Sequence, residues 1–240
     1  MNRFFTLFAL LALSLVLAVG CAPNPADDVP AAETNDAAEL PTDSSDAVED
    51  TAAAPGDGYA ISADNSEISW VGSKVTGTHD GGFEAFEGVV KVGGPNAEDV
   101  SVDVTIDANS LWSDNDSLTG HLKSADFFDV ETYPTASFVT TAIAANDAGS
   151  HDVTGNLTLH GVTKEITFPA TIELSETGVS ADAEFSIMRF DFGIEYAGKA
   201  DDLIRDEVVI RFDINAGGAG ATPPADASDA GEETAEEPVA

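Results

Sequence analysis

The chain has 240 residues, with 44 acidic and 9 basic side chains and a formal net charge of −35. Such a field excludes nucleic acid as a partner, because that affinity rests on Lys and Arg neutralising phosphates. It also speaks against direct docking on an anionic membrane surface; scattered acids of this kind serve solubility, or life in salty water.

The first predicted element is an export signal. Arg3 precedes an apolar run from Phe4 to Val19, which ends in the small residues Ala18, Val19 and Gly20 before Cys21. The layout resembles a bacterial lipoprotein signal, which implies that residues 1–20 are removed and that Cys21 is lipidated and anchors the chain. An ordinary cleaved signal and an uncleaved anchor are the alternatives, since the run is near the short end of the roughly 17–25 residues that span a bilayer. Cys21 is the only cysteine, so no disulfide is expected and stability must come from a sizeable core. Residues 22–58 carry ten acids and no base, and 217–240 carry six acids and no base. Both are predicted to be disordered, the stretch 21–58 as an acidic tether and 217–240 as an acidic tail.

Between them, residues 59–216 hold 28 acids and 8 bases, a normal length for one domain. Val102, Val104 and Ile106 alternate with polar residues, as do Val153, Leu157 and Leu159. Ile166, Phe168, Ala170, Ile172 and Leu174 give one inner face; Val208, Ile210, Phe212 and Ile214 give another. Shorter strands are predicted at 67–72, 86–92, 137–143 and 180–188, with Gly-, Asn- and Asp-rich turns between them. Eight strands without repeated helices predict an antiparallel sandwich or barrel. Only 113–129 departs, where Leu118, Leu122 and Ala125 are spaced for a short helix.

Two long motifs carry a resemblance. The first runs from His121 through Ala125-Asp126-Phe127-Phe128-Asp129-Val130 to Tyr133-Pro134, with Phe138 beyond; the second is Gly155-Asn156-Leu157-Thr158-Leu159-His160-Gly161-Val162-Thr163-Lys164. With Tyr59-Ala60-Ile61-Ser62, Gly82-Phe83-Glu84-Ala85-Phe86-Glu87-Gly88 and Asp191-Phe192-Gly193-Ile194, they make 59–216 resemble the YceI-like, polyisoprenoid-binding proteins of bacteria. The segment 108–117 departs from that family's pattern. The resemblance implies an extended lipocalin-like eight-stranded antiparallel β-barrel with a short helix. It further implies an apolar tunnel holding a polyisoprenoid, a quinone side chain or another long-chain lipid. Candidate lining residues are Phe127, Phe128, Tyr133 and Phe138 near the helix and loop, and Phe86, Leu157, Phe168, Phe185 and Phe212 on the strands.

No catalytic constellation is legible. His79, His121, His151 and His160 are scattered, with no i, i+4 pair, so neither a metal site nor a cofactor is expected. His121 with Asp126 and Asp129 is read as loop capping rather than acid–base machinery, and His160 as a turn residue. Lys123, Lys164, Arg189 and Arg205 are expected to pair with carboxylates, with contact to a lipid head group as the alternative. The expected role is non-catalytic lipid binding in the cell envelope, in the periplasm or at the outer membrane, with the anchor as the membrane contact. Whether two barrels pair as a homodimer is left open. The competing expectation is a barrel filled by its own side chains that works through its acidic surface.

Overall fold

The computed structural model describes residues 22–38, 58–200 and 202–217. The signal, Cys21, residues 39–57 of the tether and the tail from 218 onward lie outside the described residues.

Alternation builds the sheet. In β6 (Val100–Asp107), Val100, Val104 and Ile106 are buried while Ser101, Asp103, Thr105 and Asp107 are exposed. The same parity buries Ile166, Phe168 and Ala170 in β10 (Val162–Ser175). The remaining long strands are β3 (Glu67–Lys74), β4 (Gly77–Phe83), β5 (Phe86–Val92), β8 (Thr135–Ala145), β9 (His151–Leu159), β11 (Gly178–Met188) and β13 (Asp202–Gly217). Short pieces add β1 (Glu33–Asp36), β2 (Tyr59–Ser62), β7 (Leu111–Ser113) and β12 (Gly198–Lys199). The main path runs β2-β5-β6-β8-β9-β10-β11-β13-β3-β4-β7, and every neighbouring pair on it is antiparallel. The sheet curls into a lipocalin-like half-barrel of nine long strands, one more than the eight expected, and the four short pieces bring the total to thirteen.

Turn chemistry fixes the register where it matters most. His160 (φ 51°) and Gly161 (φ 73°) form the two-residue turn between Leu159 and Val162, a left-handed pair whose twist matches the flanking strands. The predicted helix forms over a shorter span than 113–129, as α1 (Asp116–Leu122). Asn115 caps it, its Oδ1 accepting from the Leu118 amide at 3.0 Å. Beyond Leu122 the chain turns back instead of continuing: the Phe128 amide donates to the Leu122 carbonyl at 3.0 Å, and Asp129 takes a positive φ of 43°.

The tether expectation needs correction over residues 22–38. This stretch lies against the barrel, with β1 paired to β10. Its poor apolar content does not prevent this, because an open strand edge accepts any backbone, whatever its side chains.

Candidate functional site

Two apolar clusters divide the interior. One holds the closest ring packing: Phe168 stacks on Phe185 with centroids 4.1 Å apart and planes 11° from parallel. Phe138 and Phe212 close on Phe168 at 5.7 and 5.9 Å. The other cluster, Trp70, Leu111, Leu122, Phe127 and Ile194, lies beside α1, and all of it but Leu111 borders empty space shared with the first. A cavity of about 350 Å³ opens there and reaches in to Phe138, Phe185 and Phe212. Its walls are almost wholly apolar side chains from β3, β9, β10, β11 and β13, roofed by Leu118, Leu122, Phe127 and Phe128.

Of the nine residues predicted to line a tunnel, Phe127, Phe128, Phe138, Leu157, Phe185 and Phe212 do so. The other three are corrected. Phe86 and Phe168 are buried in the first cluster without reaching the cavity, because alternation assigns a face and not a void. Tyr133 is half-buried outside the cavity, edge-on to His160 at 4.7 Å and packed over Gly161. Trp70, Tyr196 and Ile194 line the cavity without having been singled out. Trp70 in β3 lies opposite Gly81 of β4, where a Cβ would overlap the indole ring. Tyr196 sits in irregular chain, which carries no periodic signal.

The entrance is polar. Lys74, Lys199, Asp202 and Arg205 stand around it, with His79 and His121 on the α1 side. Lys74 Nζ donates to Asp202 at 2.6 Å and Thr76 Oγ1 donates to the same carboxylate at 2.7 Å. These hydrogen bonds, Lys74 first, hold the Asp202 carboxyl below the usual carboxylate range. Arg189 is buried against the cavity wall. Its Nε donates to the Arg205 carbonyl at 3.0 Å and its Nη1 to the Ile194 carbonyl at 2.5 Å. Burial pushes its pKa down, with the nearby Asp206 charge opposing; a guanidinium keeps its proton regardless. Arg205 Nη1 donates to the Lys74 carbonyl at 3.0 Å, so both arginines serve backbone carbonyls and not the carboxylate pairs expected of them, whereas Lys164 does pair, with Asp36 at 3.1 Å. Lys123 makes no ion pair among the described residues.

His121 lies edge-on to Phe127 and Tyr196, at 5.1 and 4.9 Å, with Nε2 3.2 Å from Asp126. It therefore packs the roof as well as bonding within the loop. His160 Nδ1 meets the Phe192 carbonyl at 3.2 Å, joining its turn to the loop after β11. No group of three or more His, Cys, Asp or Glu side chains among the described residues is arranged to hold a metal ion.

A curled antiparallel sheet around a roofed apolar cavity defines the lipocalin-like class of barrels. Within it, the chain belongs to the YceI-like domain family, whose sequence model matches residues 59–216. A UPF0312 protein of Pseudomonas putida (strain W619) is 44% identical over 91 residues, 38% of this chain and 47% of that one. A UPF0312 protein of Vibrio parahaemolyticus is 39% identical over 102 residues, 42% of this chain and 52% of that one. The matched stretch spans about half the length of these relatives. Among solved structures, BcnA of Burkholderia cenocepacia superposes with a TM-score of 0.59 at 29% identity, covering 65% of this chain and 99% of BcnA. A polyisoprenoid binding domain from Saccharophagus degradans, implicated in plant cell wall breakdown, superposes with a TM-score of 0.54 at 21% identity, covering 67% and 99%; this second likeness shows the fold.

Proposed function

We propose that the barrel binds the apolar chain of a polyisoprenoid, a quinone or a similar long-chain lipid, and does no chemistry on it. The observation that carries this reading is the cavity itself: about 350 Å³ of space walled by apolar side chains in a domain that could have been filled by phenylalanines. Each buried methylene gains about 0.8 kcal/mol, so a long chain needs a dry channel and few polar contacts. The polar entrance suits a head group left near water, with Lys199 and Lys74 within its reach. Membership of the family supports a binding role, and the Saccharophagus protein of the same fold is a polyisoprenoid binding domain. In this reading the chain works in the cell envelope, held by a lipidated Cys21.

Native mass spectrometry of the full chain, purified gently from its own host, tests the reading. A bound species of fixed mass, released by denaturation and identified as a prenyl lipid or quinone, is the expected result. A clean apo mass that stays unchanged after incubation with prenyl lipids would overturn it and return the acidic surface to first place.

A further inference from the structure

The ladder between β10 and β11 stops early. It pairs Thr171 with Asp182 through Ser175 with Gly178; continued in the same register, Thr167 would face Ser186. They do not meet, because the N-terminal segment lies between them. Glu33 is the partner of Thr167, the Ala32 amide donates to the Ser186 carbonyl at 2.8 Å, and the Ser186 amide donates to the Pro30 carbonyl at 2.9 Å. Pro169, with no N–H to give a ladder, lies two residues from the last paired position, Thr171. With an extra chain inserted, β10 and β11 stand about two strand spacings apart, on the order of 9–10 Å.

This seam abuts the cavity. Ile166 on β10, and Phe185 and Ile187 on β11, flank the inserted chain in sequence and line the cavity on its inner side. The segment then crosses the outer face of the sheet toward the entrance. Ser186, Val209 and Val71 form one register row on that face, and all are buried although alternation points them outward. The turn Pro25–Asp28 contacts β13; Ser73 Oγ donates to Asn24 at 3.3 Å, and Arg205 Nη2 donates to the Ala22 carbonyl at 2.7 Å. At the other end Asn156 clamps Ala38 reciprocally, at 3.0 and 2.9 Å.

None of residues 22–38 is itself buried. The segment is held by a short ladder, a few hydrogen bonds, two covered valines and a single small apolar side chain on the core, Ala32, while the strands on either side are held by long ladders and the core. Elements with so few buried apolar contacts open at the low end of the local stability range. We infer that residues 22–38 are a displaceable strap and that the seam beneath them is a side entrance to the cavity, through which a long apolar chain passes sideways instead of threading end-on. The inference rests on the lipid-binding reading above.

The test is the release rate of a bound fluorescent polyene fatty acid, cis-parinaric acid, from the full chain into phosphatidylethanolamine–phosphatidylglycerol vesicles at fixed salt. Asn35 and Glu165 are register partners; the double variant Asn35→Cys/Glu165→Cys, oxidised, locks the strap in place. Locking is expected to slow release by about tenfold or more, with recovery in dithiothreitol. Asn156→Ala, which removes the Ala38 clamp, is expected to speed release several-fold. Probe captured by every form and released at one common rate would overturn the strap while leaving the lipid-binding reading intact. No capture by any form would remove that reading, and the side entrance with it.

Discussion

The two apolar clusters of the interior are made from the same kinds of side chain, one mostly on the long strands and the other on β3, β7, α1 and irregular chain. The rings around Phe168 close on one another while the α1 end stands open. At the packed end four phenylalanines meet ring to ring, and Phe185 and Phe168 are at most 4% exposed. At the hollow end Trp70, Leu122 and Phe127 are equally shielded from water but stand around a void. Shielding and packing are therefore different properties. The first half carries stability and the second carries room, so substitutions should separate the two.

Phe168→Ala is expected to give the largest effect, a loss of about 3–5 kcal/mol, read as a fall in the urea midpoint, with lipid capture per folded molecule nearly unchanged. Gly81→Ala places a Cβ on the Trp70 ring and the Trp112 carbonyl. It should cost about 1–3 kcal/mol and also drive the indole into the cavity, so the melting temperature and lipid capture fall together. Leu118→Trp, at the half-buried roof, should move stability by no more than about 1 kcal/mol, yet lower equilibrium capture by roughly tenfold. If it destabilised the fold as much as Phe168→Ala, the roof would be core and the contrast would collapse.

The smallest expected effect is at the entrance. Asp202 titrates below the ordinary carboxylate range in the folded chain. The stabilisation it contributes is therefore complete above that ordinary range and is lost as pH falls through the depressed native value. Comparing urea midpoints of the parent and Asp202→Asn across acid pH should show a small difference that vanishes at the acid end. A difference that grew with acid would contradict the Lys74 pairing.

How much of this was legible in advance depends on what sort of signal each feature leaves. Strand faces were readable because burial on one side of a pleat writes period two into the sequence: β6 and β10 form with the predicted parity. The helix-and-loop roof was readable from its motif, and Phe127 and Phe128 sit where that motif implied. The boundary between packed and hollow was not, since Phe168 and Phe185 belong to adjacent strands and only the second reaches the void. Tyr196 and Arg189 act from irregular chain through single contacts, which leave no pattern. The strap was invisible for a different reason. Its partners are backbone groups on β10 and β11, and the valines beneath it, Val71 and Val209, occupy positions that alternation gives to solvent.

The strap also reverses an ordinary rule about ionic strength. Residues 22–38 contain Asp27, Asp28, Glu33 and Asp36 with no base, and they lie on a domain with 28 acids and 8 bases. The Lys164–Asp36 contact is the one ion pair made by the strap among the described residues. The Debye length shrinks from about 30 Å at 0.01 M to about 8 Å at 0.15 M, so added salt relieves more repulsion across this junction than it removes attraction. The strap is therefore expected to be held more firmly in brine than in dilute buffer.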